Sequence, residues 1–394
     1  MEARRITERV SLLGAVDWDR RLFDALIPLP DGTSYNAYLV EGSQATALLD
    51  TVDPTMTPVL LRQLERVPKL DYVIAHHAEQ DHSGSIPAVL AKYPDAKVVC
   101  SQKCKGMLGD LLRVPAERIL AVEDGQALSL GDKTLQFVYT PWVHWPETMS
   151  TYLVEDKVLF SCDFFGSHLA TSDLYADEGR VYMPAKRYYA EIMMPFRNII
   201  QRNLEKLKGY EIGVIAPSHG PVYRRPAFII DAYRDWVADE PKNLALVAYV
   251  SMHDSTRLMA EHLVSALVAR GVTTEQVNLV NLDAGKLAMA LVDAATIVIA
   301  SPTVLTGLHP AAAYAAFLAN ALRPRAKHAA YVGSYGWGGK PAEQLASLLP
   351  LLKLEMLPPV ICRGLPAEAD YAALDSLAEA IASRHQGLVA AGVA

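Results

Sequence analysis

Two rhythms of apolar and polar positions run along the chain. Up to about residue 240, short strand-like runs follow one another with only intermittent helical periodicity. Asn36-Ala37-Tyr38-Leu39-Val40, a Glu41-Gly42-Ser43 turn and Thr46-Ala47-Leu48-Leu49-Asp50 predict a hairpin, since two β-rich runs flank a glycine turn. Further strands are expected at 135–139, and at 152–154 with 158–161 across Glu155-Asp156-Lys157. Apolar runs at 72–75, 97–100 and 212–216 predict buried strands, and 186–208 predicts a helix. The mixture implies an α/β sandwich with its strands at the centre.

From about residue 244 the rhythm becomes a regular alternation of strand and helix. Strands are expected at 244–250, 276–280, 295–300, 329–333 and 356–362, with helices between most of them. Five parallel strands joined by crossover helices make a doubly wound sheet. The polar, proline-containing Asp239-Glu240-Pro241-Lys242-Asn243 is the expected linker, which divides the chain into domains 1–242 and 243–394.

Composition narrows the class without changing this plan. The 394 residues are 51% hydrophobic and 21% charged, as in a globular protein with sizeable cores. A net charge of -7 and the absence of a long Lys/Arg block argue against nucleic-acid or anionic-membrane binding. No apolar run approaches the roughly 18 residues of a membrane-crossing helix. MEARRITERV lacks the apolar centre of a secretory signal. Cys100, Cys104, Cys162 and Cys362 form no CxxC pair, so neither a disulfide framework nor a rubredoxin-type module is expected, and a reducing cytoplasm is.

The candidate chemistry begins at residues 76–82, HHAEQDH, just after the apolar run 72–75. His77, Glu79, Asp81 and His82 form H-x-E-x-D-H, and alternate residues of a loop leaving a strand can turn toward one point. Three partners lie downstream, each in or just after an apolar run: His144 in Pro141-Trp142-Val143-His144-Trp145-Pro146, Asp163 in Leu159-Phe160-Ser161-Cys162-Asp163-Phe164, and His219 in Ile215-Ala216-Pro217-Ser218-His219-Gly220. Alone, either histidine would be an ordinary hydrogen-bonded one, and Asp81 or Asp163 would cap a turn or helix. Seven ligand-type residues, all at expected strand ends, point instead to a dinuclear metal site. His76 should face the other way, and His168 is an outlying candidate beside the site.

These motifs, with GTSYNAYLV, LLDTV, HWPETM, LFSCDFFG, APSHG, SPT and GSYGWGG, resemble the flavodiiron proteins over nearly the full length. The first half resembles the metallo-β-lactamase fold, an αββα sandwich whose hydrolases carry H-x-H-x-D-H and bind zinc. The resemblance implies that His77, Glu79 and His144 bind one iron, that Asp81, His82 and His219 bind the other, and that Asp163 bridges them. Imidazole suits zinc and iron alike. A carboxylate at position 79 makes the set harder and more anionic, which suits iron cycling between two charge states better than redox-silent zinc.

The second half offers three loops at strand ends. Ser251-Met252-His253-Asp254-Ser255-Thr256 brings hydroxyls and free amides to a helix start, a phosphate site in kind. The hexamer alone would be only a helix cap. Ser301-Pro302-Thr303-Val304-Leu305 and Ser334-Tyr335-Gly336-Trp337-Gly338 follow the third and fourth strands. By resemblance to flavodoxin-like domains, the first loop holds the FMN phosphate and the other two bracket the isoalloxazine ring, with Trp337 or Tyr335 stacking on it. Asp254 departs from the usual glycine and sets a carboxylate beside a phosphate, although Asp tolerates left-handed backbone better than most residues.

The resemblance implies an oxidoreductase that passes electrons from an external donor, such as rubredoxin or a reduced deazaflavin, through FMN to two non-haem irons. The irons reduce O2 to water, NO to N2O, or both. It also implies a head-to-tail homodimer, or a dimer of such dimers, in which one chain's FMN serves its partner's irons. No catalytic residue beyond the metal ligands is identified, although Tyr188 and Tyr189 are candidates to stand near the pocket as proton donors. The rival readings are a zinc hydrolase with a flavodoxin-like appendage, and an electron carrier with a vestigial metal pocket.

Overall fold

The runs on either side of Gly42 form the expected hairpin. Strands Thr33–Glu41 and Thr46–Leu49 pair antiparallel, with Tyr38 opposite Leu49. They belong to a seven-stranded sheet in the order Arg4–Thr7, Val10–Asp17, Thr33–Glu41, Thr46–Leu49, Tyr72–Ile74, Lys97–Ser101, Ile119–Val122. All but the last residue of Thr33–Glu41 is buried, because both faces of the sheet are covered. Leu13, Ala37, Leu39, Val73 and Val98 pack on one face with Leu60, Leu64, Ile86 and Leu108 of the helices. Leu12, Tyr38, Val40, Ile74 and Val99 pack on the other face against Leu135, Phe137, Leu153 and Phe160 of a second sheet. That sheet has the order Ala127–Ser129, Thr134–Tyr139, Met149–Leu153, Val158–Cys162, Val214–Pro217. Gly14 is required where the first two long strands meet: its φ is +113°, and a Cβ there would stand 2.1 Å from the Tyr35 carbonyl oxygen.

This computed structural model describes residues 2–391, in two compact units. The sandwich unit runs through Tyr189 and resumes as Phe196–Val237, and the other unit takes Ala190–Pro195 and everything from Ala238 onward. The interruption falls inside the predicted 186–208 helix. Helices Glu178–Tyr188 and Arg197–Leu207 are separated by a π turn, Tyr189–Met193, and a 3-10 turn, Met194–Phe196. Pro195 falls within this 3-10 turn and has no N–H to donate to a continuous helical ladder.

The second unit is a doubly wound sheet in the order Thr273–Asn278, Lys242–Tyr249, Ala294–Val304, His328–Tyr335, with Glu355–Met356 and Val360–Arg363 on the last strand. These main pairings are parallel. Three strands differ from expectation. The predicted 356–362 strand is split by Leu357-Pro358-Pro359, because prolines cannot donate to a ladder. The predicted 276–280 strand lies at Thr273–Asn278, where Asn278 caps a 3-10 turn by accepting from the Val280 amide. The third strand runs on to Val304. The expected linker is short, since Lys242 already opens a strand. Buried Arg325 donates to the Ala238 carbonyl at 3.1 Å and pairs with Asp293 at 3.0 Å. No helix among the described residues is long and apolar enough to cross a membrane.

Candidate functional site

HHAEQDH leaves its strand in a loop, as expected, but the loop closes into a helical turn. Glu79 heads a single helical turn, Gln80–Ser83, in which the His82 and Ser83 amides donate to the Glu79 carbonyl at 3.1 and 2.9 Å. Ser83 Oγ donates to the Ala78 carbonyl at 2.7 Å and locks the turn. The turn, rather than strand alternation, gathers the donor side chains. The other three reach the site from loops: Asp163 and His219 follow the neighbouring strands Val158–Cys162 and Val214–Pro217, and His144 lies between two strands of the same sheet. Cys162, at φ +54°, turns the chain abruptly before Asp163, the kind of backbone strain that gathers at functional sites.

Among the described residues three donor groups result, one of which, Asp50, His82 and Cys162, only shares His82 with the seven expected residues; the other two divide those seven. His77, Glu79, His144 and Asp163 form one, and Asp81, His82 and His219 form the other. Glu79 Oε2 stands 3.0 Å from both His77 Nε2 and His144 Nε2. Asp81 Oδ2 stands 3.1 Å from His219 Nε2 and 3.4 Å from His82 Nε2. Asp163 faces both groups. Its Oδ2 is 3.6 and 3.5 Å from His77 and His144, and its Oδ1 is 2.9 and 3.4 Å from His82 and His219. Apart from these close imidazole–carboxylate pairs, both oxygens of Asp81 and Asp163 and both ring nitrogens of His82 are buried without a hydrogen-bond partner. Orphaned buried carboxylates are costly unless cations meet them. The donor set therefore fits two metal ions with a carboxylate between them.

Electrostatics agree. Burial opposes a charge on Asp163, but the imidazoles of His82, His77 and His219 overcome it and hold its carboxyl well below the ordinary range. Burial likewise opposes protonation of His82, yet Asp163 and Asp81 raise it to about 10. His77 is raised well above the usual value against burial, by hydrogen bonds with Glu147 and Glu79. Protons thus stand where cations would, and metal uptake would release them.

A surrounding layer orients the imidazoles. His77 Nδ1–H donates to Glu147 Oε1 at 2.7 Å, and the Ala78 amide donates to the same oxygen at 3.0 Å. His219 Nδ1–H donates to the Ser34 carbonyl at 2.7 Å. Each bond sets the tautomer that leaves Nε2 free for a metal. His76 faces away as expected, with Nδ1 2.8 Å from Asp50 and Nε2 2.7 Å from Thr151 Oγ1. Asp50 also accepts from Ser218 Oγ at 2.9 Å, which ties two strand ends together beneath the site. His168 packs on His219 and Tyr188 at ring distances of 4.9 and 4.8 Å, with Nδ1 2.9 Å from Thr33 Oγ1. Tyr188 lies beside the centre, where burial and then Asp163 push its hydroxyl well above the usual value. Tyr189 packs instead with Tyr233 and Trp236.

Sequence reasoning missed Glu147, Ser34, Asp50 and Asp24. Glu147 lies inside the HWPETM motif, a signal that carried no role. Asp24, on the turn between Leu22–Phe23 and Ile27–Pro28, is pushed up to about 6 by burial and then by Glu79 and Asp81. Glu79 and His144 keep 13% and 18% side-chain exposure while the other candidate donors are nearly sealed, so the cluster opens along that edge.

In the second unit a cavity of about 330 Å³ lies at the ends of the sheet. It is lined by Ser251, Met252, His253, Ser255 and Thr256 of the first loop, Pro302 and Thr303 of the second, and Ser334, Tyr335, Gly336 and Trp337 of the third. Gly364, at a strand end no motif marked, completes the wall. Asp254, Ser301, Val304, Leu305 and Gly338 are not part of the lining. Ser301 turns inward, where its hydroxyl accepts from the His309 amide at 3.1 Å. Leu305 projects from a turn and is 94% exposed. Ser251 Oγ is buried without a partner, and Trp337 leaves 87% of its surface open beside the cavity. A hydroxyl awaiting an acceptor and an uncovered aromatic face fit a flat ring bearing a phosphate.

Residues 33–220 match the ODP family beta lactamase. The nitric oxide reductase of Moorella thermoacetica is 34% identical over 391 residues, 96% of this chain and 98% of that one. Among solved structures, the rubredoxin oxygen:oxidoreductase of Desulfovibrio gigas superposes with a TM-score of 0.94 at 30% identity, covering 98% of this chain and 99% of that one. The flavodiiron protein of Giardia intestinalis gives 0.89 at 26% identity, covering 98% and 97%. With this agreement along the whole length, and a site that assembles both donor groups, the chain belongs to the flavodiiron protein family.

Proposed function

We propose that this chain is a cytoplasmic flavodiiron reductase that takes electrons from an external donor and reduces O2 to water, NO to N2O, or both. One observation carries the reading: Asp163 offers its two oxygens to two separate donor groups, as a carboxylate shared by two metal ions would. His77, Glu79 and His144 would hold one iron, and Asp81, His82 and His219 the other. The first-loop hydroxyls would hold the FMN phosphate, with Trp337 or Tyr335 against the ring. Domain 1–242 would then be the diiron module and 243–394 the FMN module. When bound, the irons supply open coordination positions and electrons, and FMN relays electrons to them.

The chain's own residues do the rest. Glu147 and the Ser34 carbonyl hold His77 and His219 with Nε2 toward the centre. The Glu79–His144 edge admits a small molecule, while burial of the remaining ligands keeps bulk water out. Tyr188 stands over Asp163 with its proton firmly held, a hydrogen-bond donor at the pocket. The donor would be a rubredoxin or a reduced deazaflavin, as the names of the relatives rubredoxin-oxygen oxidoreductase and coenzyme F420H(2) oxidase support. The assembly would be a head-to-tail homodimer or a dimer of dimers.

Metal and flavin analysis of the purified protein tests the reading, with two irons and one FMN per chain expected. Zinc without flavin colour would return the chain to the hydrolase reading, which leaves Glu79 and the second-unit cavity unexplained. Anaerobic stopped-flow of the reduced protein against O2 and NO then separates the two substrates by rate.

A further inference from the structure

Asp254 occupies the N-cap of helix Ser255–Val268 but does not cap it. Its backbone is left-handed, at φ +66° and ψ −20°. Elsewhere in this chain the aspartates at such positions do cap. Asp177 accepts from the Gly179 and Arg180 amides, and Asp283 from the Gly285 and Lys286 amides. The Asp254 carboxylate is instead held by Arg257, whose Nε donates to Oδ1 at 2.9 Å. The same guanidinium donates through Nη1 to Glu261 at 2.8 and 3.1 Å, so carboxylates anchor it on both sides. The neighbours His253 and Ser255 line the cavity, whereas Asp254 does not.

An aspartate at an N-cap is the natural intramolecular ligand for first-turn amides. Here those amides are also the natural ligand for a phosphate, and both anions cannot occupy them. The Ser255 amide already donates to the His253 carbonyl at 2.9 Å, and we propose that Arg257 is a positioning residue that draws the Asp254 carboxylate off the helix start, keeping the Thr256 and Arg257 amides open for the phosphate of FMN. This rests on the FMN reading above. It explains how a carboxylate stands in a phosphate loop: it is parked on the outer face, and its charge is met by a guanidinium. Arg257 acts through Asp254 and not by touching the cofactor.

The test is flavin binding to the apoprotein, followed by fluorescence quenching, with FMN and with riboflavin, which lacks the phosphate. Arg257→Ala should weaken FMN about fivefold, the size of one helix-capping interaction, and leave riboflavin unchanged. In Arg257→Ala/Asp254→Gly the competing carboxylate is gone, and glycine accepts the left-handed backbone, so FMN affinity should return to the native value. Undiminished FMN affinity in Arg257→Ala overturns the proposal. So does an equal loss for riboflavin, or a double variant as weak as the single one, which would mean that Arg257 contacts the phosphate itself. A native apoprotein that binds neither flavin overturns the cofactor reading, a separate result from any of these.

Discussion

In the proposed diiron reading, the choice of metal rests on Glu79. Its Oε2 lies 3.0 Å from two imidazoles, at the open edge of one donor group, where a zinc hydrolase would place a third imidazole. A carboxylate adds negative charge and a hard donor, and both favour iron. Glu79→His should therefore lower iron retained per chain and raise zinc, read by metal analysis after purification. Unchanged iron content and activity would undo the assignment. Glu147 acts one step further out. Removing its charge with Glu147→Gln weakens the acceptor that orients His77, and a loss of about 10-fold or more in iron affinity is expected, measured by competition with a chelator. The seven residues that the structure gathers were legible in the sequence as candidates, because His, Asp and Glu at strand ends carry their chemistry in their type. Glu147 and Ser34 were not legible as orienting groups. An imidazole N–H can donate to any oxygen, and Ser34 accepts with its backbone carbonyl, which leaves no mark on side-chain identity.

Helices and strands were read well where periodicity alone decides, and less well where a single residue interrupts it. Strands at 244–250 and 329–333 form nearly as expected, as Lys242–Tyr249 and His328–Tyr335, because continuous apolar runs mark parallel strands buried on both faces. The 186–208 helix and the 356–362 strand failed at Pro195 and Pro358-Pro359, where missing amides overrule an apolar pattern. The turn carrying Asp81 and His82 was missed for another reason. It is only four residues long, and its stability comes from tertiary contacts such as the Thr51 amide's 2.8 Å bond to the His82 carbonyl. One joint between elements makes a pH prediction. At the end of helix Glu368–Arg384, His385 donates from Nδ1 to Asn243 Oδ1 at 2.9 Å and accepts at Nε2 from Thr296 Oγ1 at 2.8 Å. That pattern requires a neutral ring, and burial lowers its pKa from 6.5 to about 4. The unfolded chain thus binds a proton that the folded chain refuses between those values. The contribution to stability is complete above pH 6.5 and is lost as the pH falls toward 4, with a slope of at most about 1.4 kcal/mol per pH unit. Denaturant titrations of the second unit across that window should show a smaller pH dependence in His385→Gln than in the native chain, and equal slopes would remove His385 as the cause.

At the scale of the whole molecule, the division into a sandwich and a doubly wound sheet was visible as a change of rhythm near residue 240. The transfer of Ala190–Pro195 to the second unit was not, because nothing in a short helical stretch records which core it joins. Electron flow is the question that belongs to this scale. If subunits pair head to tail, one chain's flavin serves its partner's irons, and two chains damaged at different sites can complement each other. Asp163→Asn removes the shared carboxylate, and Ser251→Trp fills the flavin cavity, so each variant alone should be inactive. After subunit exchange at equal amounts, half the dimers are mixed, and each mixed dimer holds one intact iron centre facing one intact flavin. That gives about a quarter of the native rate in O2 or NO consumption, from the symmetry of a closed dimer. A path confined to one chain gives none, because every intact centre in the mixture then shares a chain with a blocked flavin cavity. Recovery near a quarter would also show that activity resides in the dimer, since dilution to monomers should abolish it in the mixture and in the native protein alike.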